Sequence, residues 1–126
     1  MLNQIVLVGR LVKTPELKMT ESGRKISRIT LAVPRNYKNT SGEYDTDFLD
    51  CTLWTNVAEN TSEYCQKGDM LGVKGRLETR VIKSDDGSKK KRTEIIAERV
   101  TFLAQSPNKK DTSKNNTKSE KNNKKN

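Results

Sequence analysis

Thr46 to Thr55 reads TDFLDCTLWT, and the alternation inside this segment decides the fold class and the face that matters. Successive side chains of a strand point to opposite faces. The odd positions Leu49, Cys51 and Leu53 make an apolar stripe suited to a core. The even positions Thr46, Phe48, Asp50, Thr52 and Trp54 make a polar stripe that carries two large rings. Burying such a ring stabilises a fold by about 1.5–3 kcal/mol. Rings kept on the polar face of a half-buried strand therefore point to a ligand with flat apolar surfaces. In a chain of formal net charge +9, the expected ligand is a nucleic acid with unpaired bases.

Outward from this strand the pattern stays β. Leu2 to Val12 is rich in β-branched residues and reads as a first strand, with Gly9 at a bulge or bend. Thr14-Pro15 ends it, and Glu16 to Met19 is a short extension before the Glu21-Ser22-Gly23 turn. Lys25 to Val33 is the second strand, with Ile29, Leu31 and Val33 on one face. Pro34 to Gly42 reads as a polar loop holding Arg35, Tyr37 and Lys38. After the third strand the period changes. Val57, Ala58, Thr61, Tyr64 and Cys65 recur at helical spacing. Asn56 and Glu59 have the spacing of a capping box, and Lys67-Gly68 is a stop signal. Met70 to Lys83 is a fourth strand, Ser84 to Ser88 a hairpin turn, and Arg92 to Leu103 a fifth strand. An all-β chain of five strands with one short helix between strands 3 and 4 has the order of an OB-fold. That fold is a Greek-key barrel that binds oligonucleotides across one face.

Composition bounds the rest. Residues 105–126 hold seven Lys, six Asn and two acids with no aliphatic or aromatic side chain, a net +5 that leaves +4 for residues 1–104. Such a stretch buries too little apolar area to offset its ordering entropy, so residues 105–126 are expected to be a disordered tail behind a single domain of residues 1–104. Histidine is absent, which removes the usual general base and the commonest metal ligand. Cys51 and Cys65 lie too far apart in sequence for a CxxC site, so no metal is expected, and Cys51 is expected as a reduced core thiol. No nucleophile has a base beside it, and catalysis and cofactors are not expected. The N-terminus lacks a basic, apolar leader and no run approaches a membrane span, so the expected location is the cytoplasm.

The fourth strand places Lys74, Arg76 and Arg80 on one face with Glu78 and Ile82, opposite Val73, Gly75, Leu77, Thr79 and Val81. A strand face of cations is usually plain solvated surface. Beside a strand that shows Phe48 and Trp54 it becomes a phosphate-binding face, since rings for bases and cations for phosphates together bind single strands. Tyr37, flanked by Arg35 and Lys38, has no core to pack against and is the third stacking candidate. Arg10 and Lys13, at the end of the first strand, are within reach of phosphate. Tyr64, on the apolar helix face, and Phe102, in the last strand, read as structural.

MLNQIVLVGRL, Pro15-Glu16-Leu17, Ser22-Gly23, ITLAV (29–33), DFLDCTLW (47–54), AEN (58–60), YCQKGDMLGVKGRLETR (64–80), Asp86-Gly87 and VTFL (100–103) occur in series over residues 1 to about 104. In this the chain resembles bacterial single-stranded DNA-binding proteins. The resemblance implies an OB-fold assembled as a homotetramer. It also implies sequence-independent binding of single-stranded DNA in replication, recombination and repair. The family's stacking aromatics fall on Tyr37, Phe48 and Trp54. Two departures stand out. Ile82 takes the place of a further family aromatic, and the sequence ends KNNKKN where the family carries an acidic, hydrophobic tip. Protein partners recruited through such a tip are therefore not expected, and the basic tail is expected to add affinity for DNA instead. Three other readings share the barrel. One is a primosome or replication-restart subunit that acts mainly through protein contacts. The others are a cold-shock-like RNA binder and a nuclease.

Overall fold

The computed structural model describes residues 1–106, in the order β1 (Ile5–Leu11), β2 (Lys18–Met19), β3 (Lys25–Lys38), β4 (Tyr44–Trp54), α1 (Thr55–Tyr64), β5 (Met70–Lys83) and β6 (Lys89–Ala104). Neighbouring strands run β1-β5-β6-β4-β3, and a β1–β3 pairing closes the ring. The expected five-stranded barrel is therefore present. Its short extension after the first strand forms the two-residue β2 against Lys25 and Ile26, so the helix falls between β4 and β5. The closing contacts are short, with β4 meeting β6 only over residues 51–53 and 95–97, so β3–β4 and β5–β6 run past the ring as two-stranded arms.

The apolar stripes meet inside the ring. Ile29 and Leu31 of β3, Cys51 and Leu53 of β4, Leu71 and Val73 of β5 and Ala97 of β6 pack as one core with Leu11. Gly9 is set by close approach more than by a bend: a Cβ there would lie 2.8 Å from Val33 Cγ2 and 2.9 Å from the Ala32 carbonyl oxygen, where β1 crosses from β5 to β3. α1 covers the barrel with Ala58 and Thr61 buried, and Cys65 is buried just beyond it. Burial, with the Asp50 charge second, pushes the Cys51 thiol up to about 11, and both cysteines are free thiols.

Several local expectations are corrected. Pro34 to Gly42 is not a loop. β3 runs on through Pro34 to Lys38 with a register shift between those two residues, and the turn occupies Asn39 to Gly42. Past Ala32, β3 pairs with β4 alone, so a missing proline N–H is tolerated. The capping box does not form. The helix starts at Thr55 with no side-chain cap, and Glu59 is held instead by Lys25 Nζ at 2.7 Å. Tyr64 is 68% exposed and Phe102 45% exposed, so neither ring belongs to the core. At the far end of the described residues, Ser106 is buried, and its backbone N–H donates to Asp69 Oδ1 at 2.9 Å. The buried Asp69 also accepts from the Gln66 N–H at 2.9 Å, which ties Ser106 to the turn before β5. The rest of the expected tail lies outside the described residues.

Candidate nucleic-acid interface

The outer face of β4 carries the rings that the alternation assigns to it. Phe48 is 65% exposed and pairs across the ladder with Ala32, whose small side chain leaves the ring uncovered. Trp54 is half-buried at the junction with α1, opposite Ile26. Strand residues advance about 3.3 Å each, so the two rings sit roughly 20 Å apart on one face. Tyr37, on the extended β3 arm, is 60% exposed. The same arm shows a ring that the sequence reading passed over, Tyr44, 58% exposed with Lys38 Nζ 5.9 Å from its centre. Its even parity with Phe48 was the signal, hidden because the strand is read as starting only at Thr46.

The cations divide into two groups. Arg35 donates to both Asp47 oxygens from Nε and to Oδ1 from Nη2 at 2.9 Å. That fork raises its pKa and holds the Asp47 carboxyl below the ordinary range. Arg76 bridges Glu78 at 2.7 Å and Glu98 at 3.1 Å, and Arg80 lies 3.5 Å from Glu94. Arg10 donates from Nη1 to the Gly68 carbonyl at 2.7 Å. Lys13, Lys38 and Lys74, by contrast, have no carboxylate within salt-bridge distance among the described residues. Several arginines expected to meet phosphate are thus already engaged with carboxylates, which a ligand anion has to displace.

Between the β3–β4 and β5–β6 arms lies a cleft of about 150 Å³ lined by Arg28, Asp50, Thr52, Arg80, Arg92 and Glu94. Thr52 Oγ1 donates to Glu94 Oε2 at 3.3 Å, and Arg80 reaches the same oxygen, so β4's outer face continues onto the second arm. Arg28 and Arg92 were not singled out from sequence. The cross-strand packing that brings them beside Arg80 is set by tertiary pairing. Lys74 lies farther off, between Val6 of β1 and Arg99 of β6. Lys13 borders a larger cavity of about 470 Å³ with Lys18 and Arg28. Ile82 is half-buried opposite Lys90. Among the described residues no group of acids and cysteines is placed to hold a metal, and no helix is long and apolar enough to cross a membrane.

Rings spaced along one strand face, a cationic cleft beside them and bound carboxylates at the margins make a track for a flexible polyanion with stackable bases. The single-strand binding protein family matches this chain over residues 2–103. Single-stranded DNA-binding protein B of Bacillus subtilis is 46% identical over 110 residues, 87% of this chain and 97% of that protein. Single-stranded DNA-binding protein 3 of Listeria innocua is 45% identical over 108 residues, 86% of this chain and 68% of that protein. Single-stranded DNA-binding protein A of Bacillus subtilis is 47% identical over 103 residues, 82% of this chain and 60% of that protein.

Proposed function

The chain belongs to the single-strand binding protein family, and from that premise we propose that it coats single-stranded DNA without regard to sequence and performs no chemistry on it. The observation that carries this reading is the exposed Phe48 ring on the polar face of a core strand, with Tyr37 and Trp54 as companion stacking rings. Arg10, Lys13, Lys38 and Lys74 meet the phosphates, as do Arg35, Arg76 and Arg80 once they leave their carboxylates. Stacking tolerates any base because every base has a π face. Release of counterions supplies the remaining affinity, with a log–log salt slope of about −0.7 per phosphate neutralised. The cellular setting that fits is cytoplasmic, in replication, recombination and repair, with the barrel assembled as a homotetramer.

The test is a titration with poly-dT at two salt concentrations, followed by the fluorescence of Trp54, the only tryptophan, with duplex DNA as comparison. Strong quenching by the single strand, a weak response to duplex and loss of affinity with salt are expected. Failure to bind poly-dT would leave a protein-docking barrel, as in a primosome subunit, as the better reading.

Two further results are expected from the charge arrangement. Asp47→Asn removes the carboxylate that competes for Arg35, so affinity should rise severalfold and the salt slope steepen by about 0.7. An unchanged affinity would mean that Arg35 never meets phosphate, and a raised affinity with an unchanged slope that it already does so in the wild type. Removing residues 107–126, which hold seven Lys against two acids, should weaken binding and flatten the slope while Ser106 keeps its bond to Asp69. The same titration on the shortened chain checks both.

A further inference from the structure

We infer that Arg24 gates Trp54: its guanidinium covers the ring in the free protein and moves onto the neighbouring phosphate when a base stacks there. This rests on the reading of Trp54 as a stacking ring. The guanidinium carbon stands 4.0 Å from the ring centre, which is stacking distance and leaves no room for a base between them. A base therefore reaches this face of Trp54 only after Arg24 has left it.

Three features make Arg24 suited to that exchange. Its backbone is pinned on both sides to Thr20. The Thr20 N–H donates to the Arg24 carbonyl at 2.9 Å and the Arg24 N–H donates to Thr20 Oγ1 at 3.1 Å, so only the side chain needs to swing. It lies on the surface next to the Gly23 turn, where φ is +89°. It also has no carboxylate partner among the described residues. Arg35, the other arginine near a ring, differs on each count that matters: it lies 5.9 Å from the Tyr37 centre and is forked onto Asp47. Arg24 thus holds a full charge in reserve beside the ring.

The ring itself is held still while the guanidinium moves. Trp54 ends β4, and the next residue, Thr55, opens α1 with φ of +51°. A β-branched residue in the left-handed region is a strained arrangement that persists only where its surroundings impose it. Here it turns strand into helix directly behind the ring, with Ile26 paired beside it.

The experiment compares wild type, Arg24→Ala and Arg24→Lys in two measurements, after thermal melts have shown that all three keep the fold. Acrylamide quenching of Trp54 in the DNA-free protein should rise in Arg24→Ala, because the cover is gone. The salt slope of poly-dT binding should flatten by about 0.7 in Arg24→Ala and stay at the wild-type value in Arg24→Lys, which keeps the charge without the planar cover. A purely structural role for Arg24 would not separate the two variants in this way. Unchanged acrylamide quenching in Arg24→Ala overturns the cover, and an unchanged slope overturns the transfer to phosphate. If the wild-type chain itself fails to bind poly-dT, the proposed function and this inference fall together, whereas wild-type binding with either variant result above isolates the gate.

Discussion

Gly75→Ala is expected to destabilise the fold by about 3 kcal/mol or more, the largest loss from a single methyl in this barrel. Gly75 lies where the β5–β6 register shifts between Lys74 and Gly75. A Cβ built there would overlap the Ile96 carbonyl oxygen and lie 3.0 Å from the Ile96 carbonyl carbon and 3.1 Å from Ala97 Cα. All three obstacles are backbone. Overpacking costs about 1–3 kcal/mol where side chains can shift and more where they cannot. Both strands here are held on each side, β5 between β1 and β6 and β6 between β5 and β4, so relief means opening the ladder. In a domain of this size about 1 kcal/mol moves the melting temperature by roughly 4–8 °C, so a fall beyond about 12 °C is expected by circular dichroism. Gly72→Ala is the control, since its nearest neighbour would be 3.6 Å away, an ordinary contact. Equal melting temperatures for the two variants would show that the bulge can rearrange.

The second large effect is on binding. Tyr37→Ala combined with Phe48→Ala should weaken poly-dT affinity by about 2–6 kcal/mol, from about 1–3 kcal/mol per stacked base, which is at least about 30-fold. Both rings are mostly exposed, so the melting temperature should hardly move. The rings carry no charge, so the salt slope should stay the same while the affinity falls at every salt concentration. That separates this variant from Asp47→Asn, where the slope itself shifts. Undiminished affinity would remove these two rings from the interface and leave the arginine cleft between the arms as the binding track.

The parts of the molecule that were legible beforehand are those written in neighbouring residues. Alternation in 46–55 identifies Cys51 and Leu53 as core and Phe48 as exposed, and both hold in the structure. Met70–Lys83 is a strand over the expected residues. Asp86 and Gly87 make the expected turn, with Gly87 at φ of +87° and Ser88 donating to Asp86. Local rules also misled where a distant partner overrides them. Pro34 looks like a strand breaker, yet β3 continues because β4 alone accompanies it there. Glu59 has capping-box spacing, yet Lys25, 34 residues away, takes its carboxylate. Tyr64 lies on the apolar helical stripe, yet the helix buries only as far round as Ala58 and Thr61.

The site divides along the same line. The rings were readable because exposure follows from strand parity, a property with a period of two residues. The state of most cations was not: Arg76 and Glu78 share a face two residues apart, but the other pairs depend on which carboxylate the fold brings near. Arg35 meets Asp47 across 12 residues and Arg76 meets Glu98 across 22, and Arg24 reaches Trp54 only once β3 and β4 are paired. By itself the sequence determined the barrel, its core stripe and the face that bears the rings, since hydrophobic alternation acts between near neighbours. The tertiary structure decided which arginines reach a distant carboxylate, which stand free and which one covers a ring, since Coulomb and stacking contacts between distant residues depend on distances that only strand register fixes.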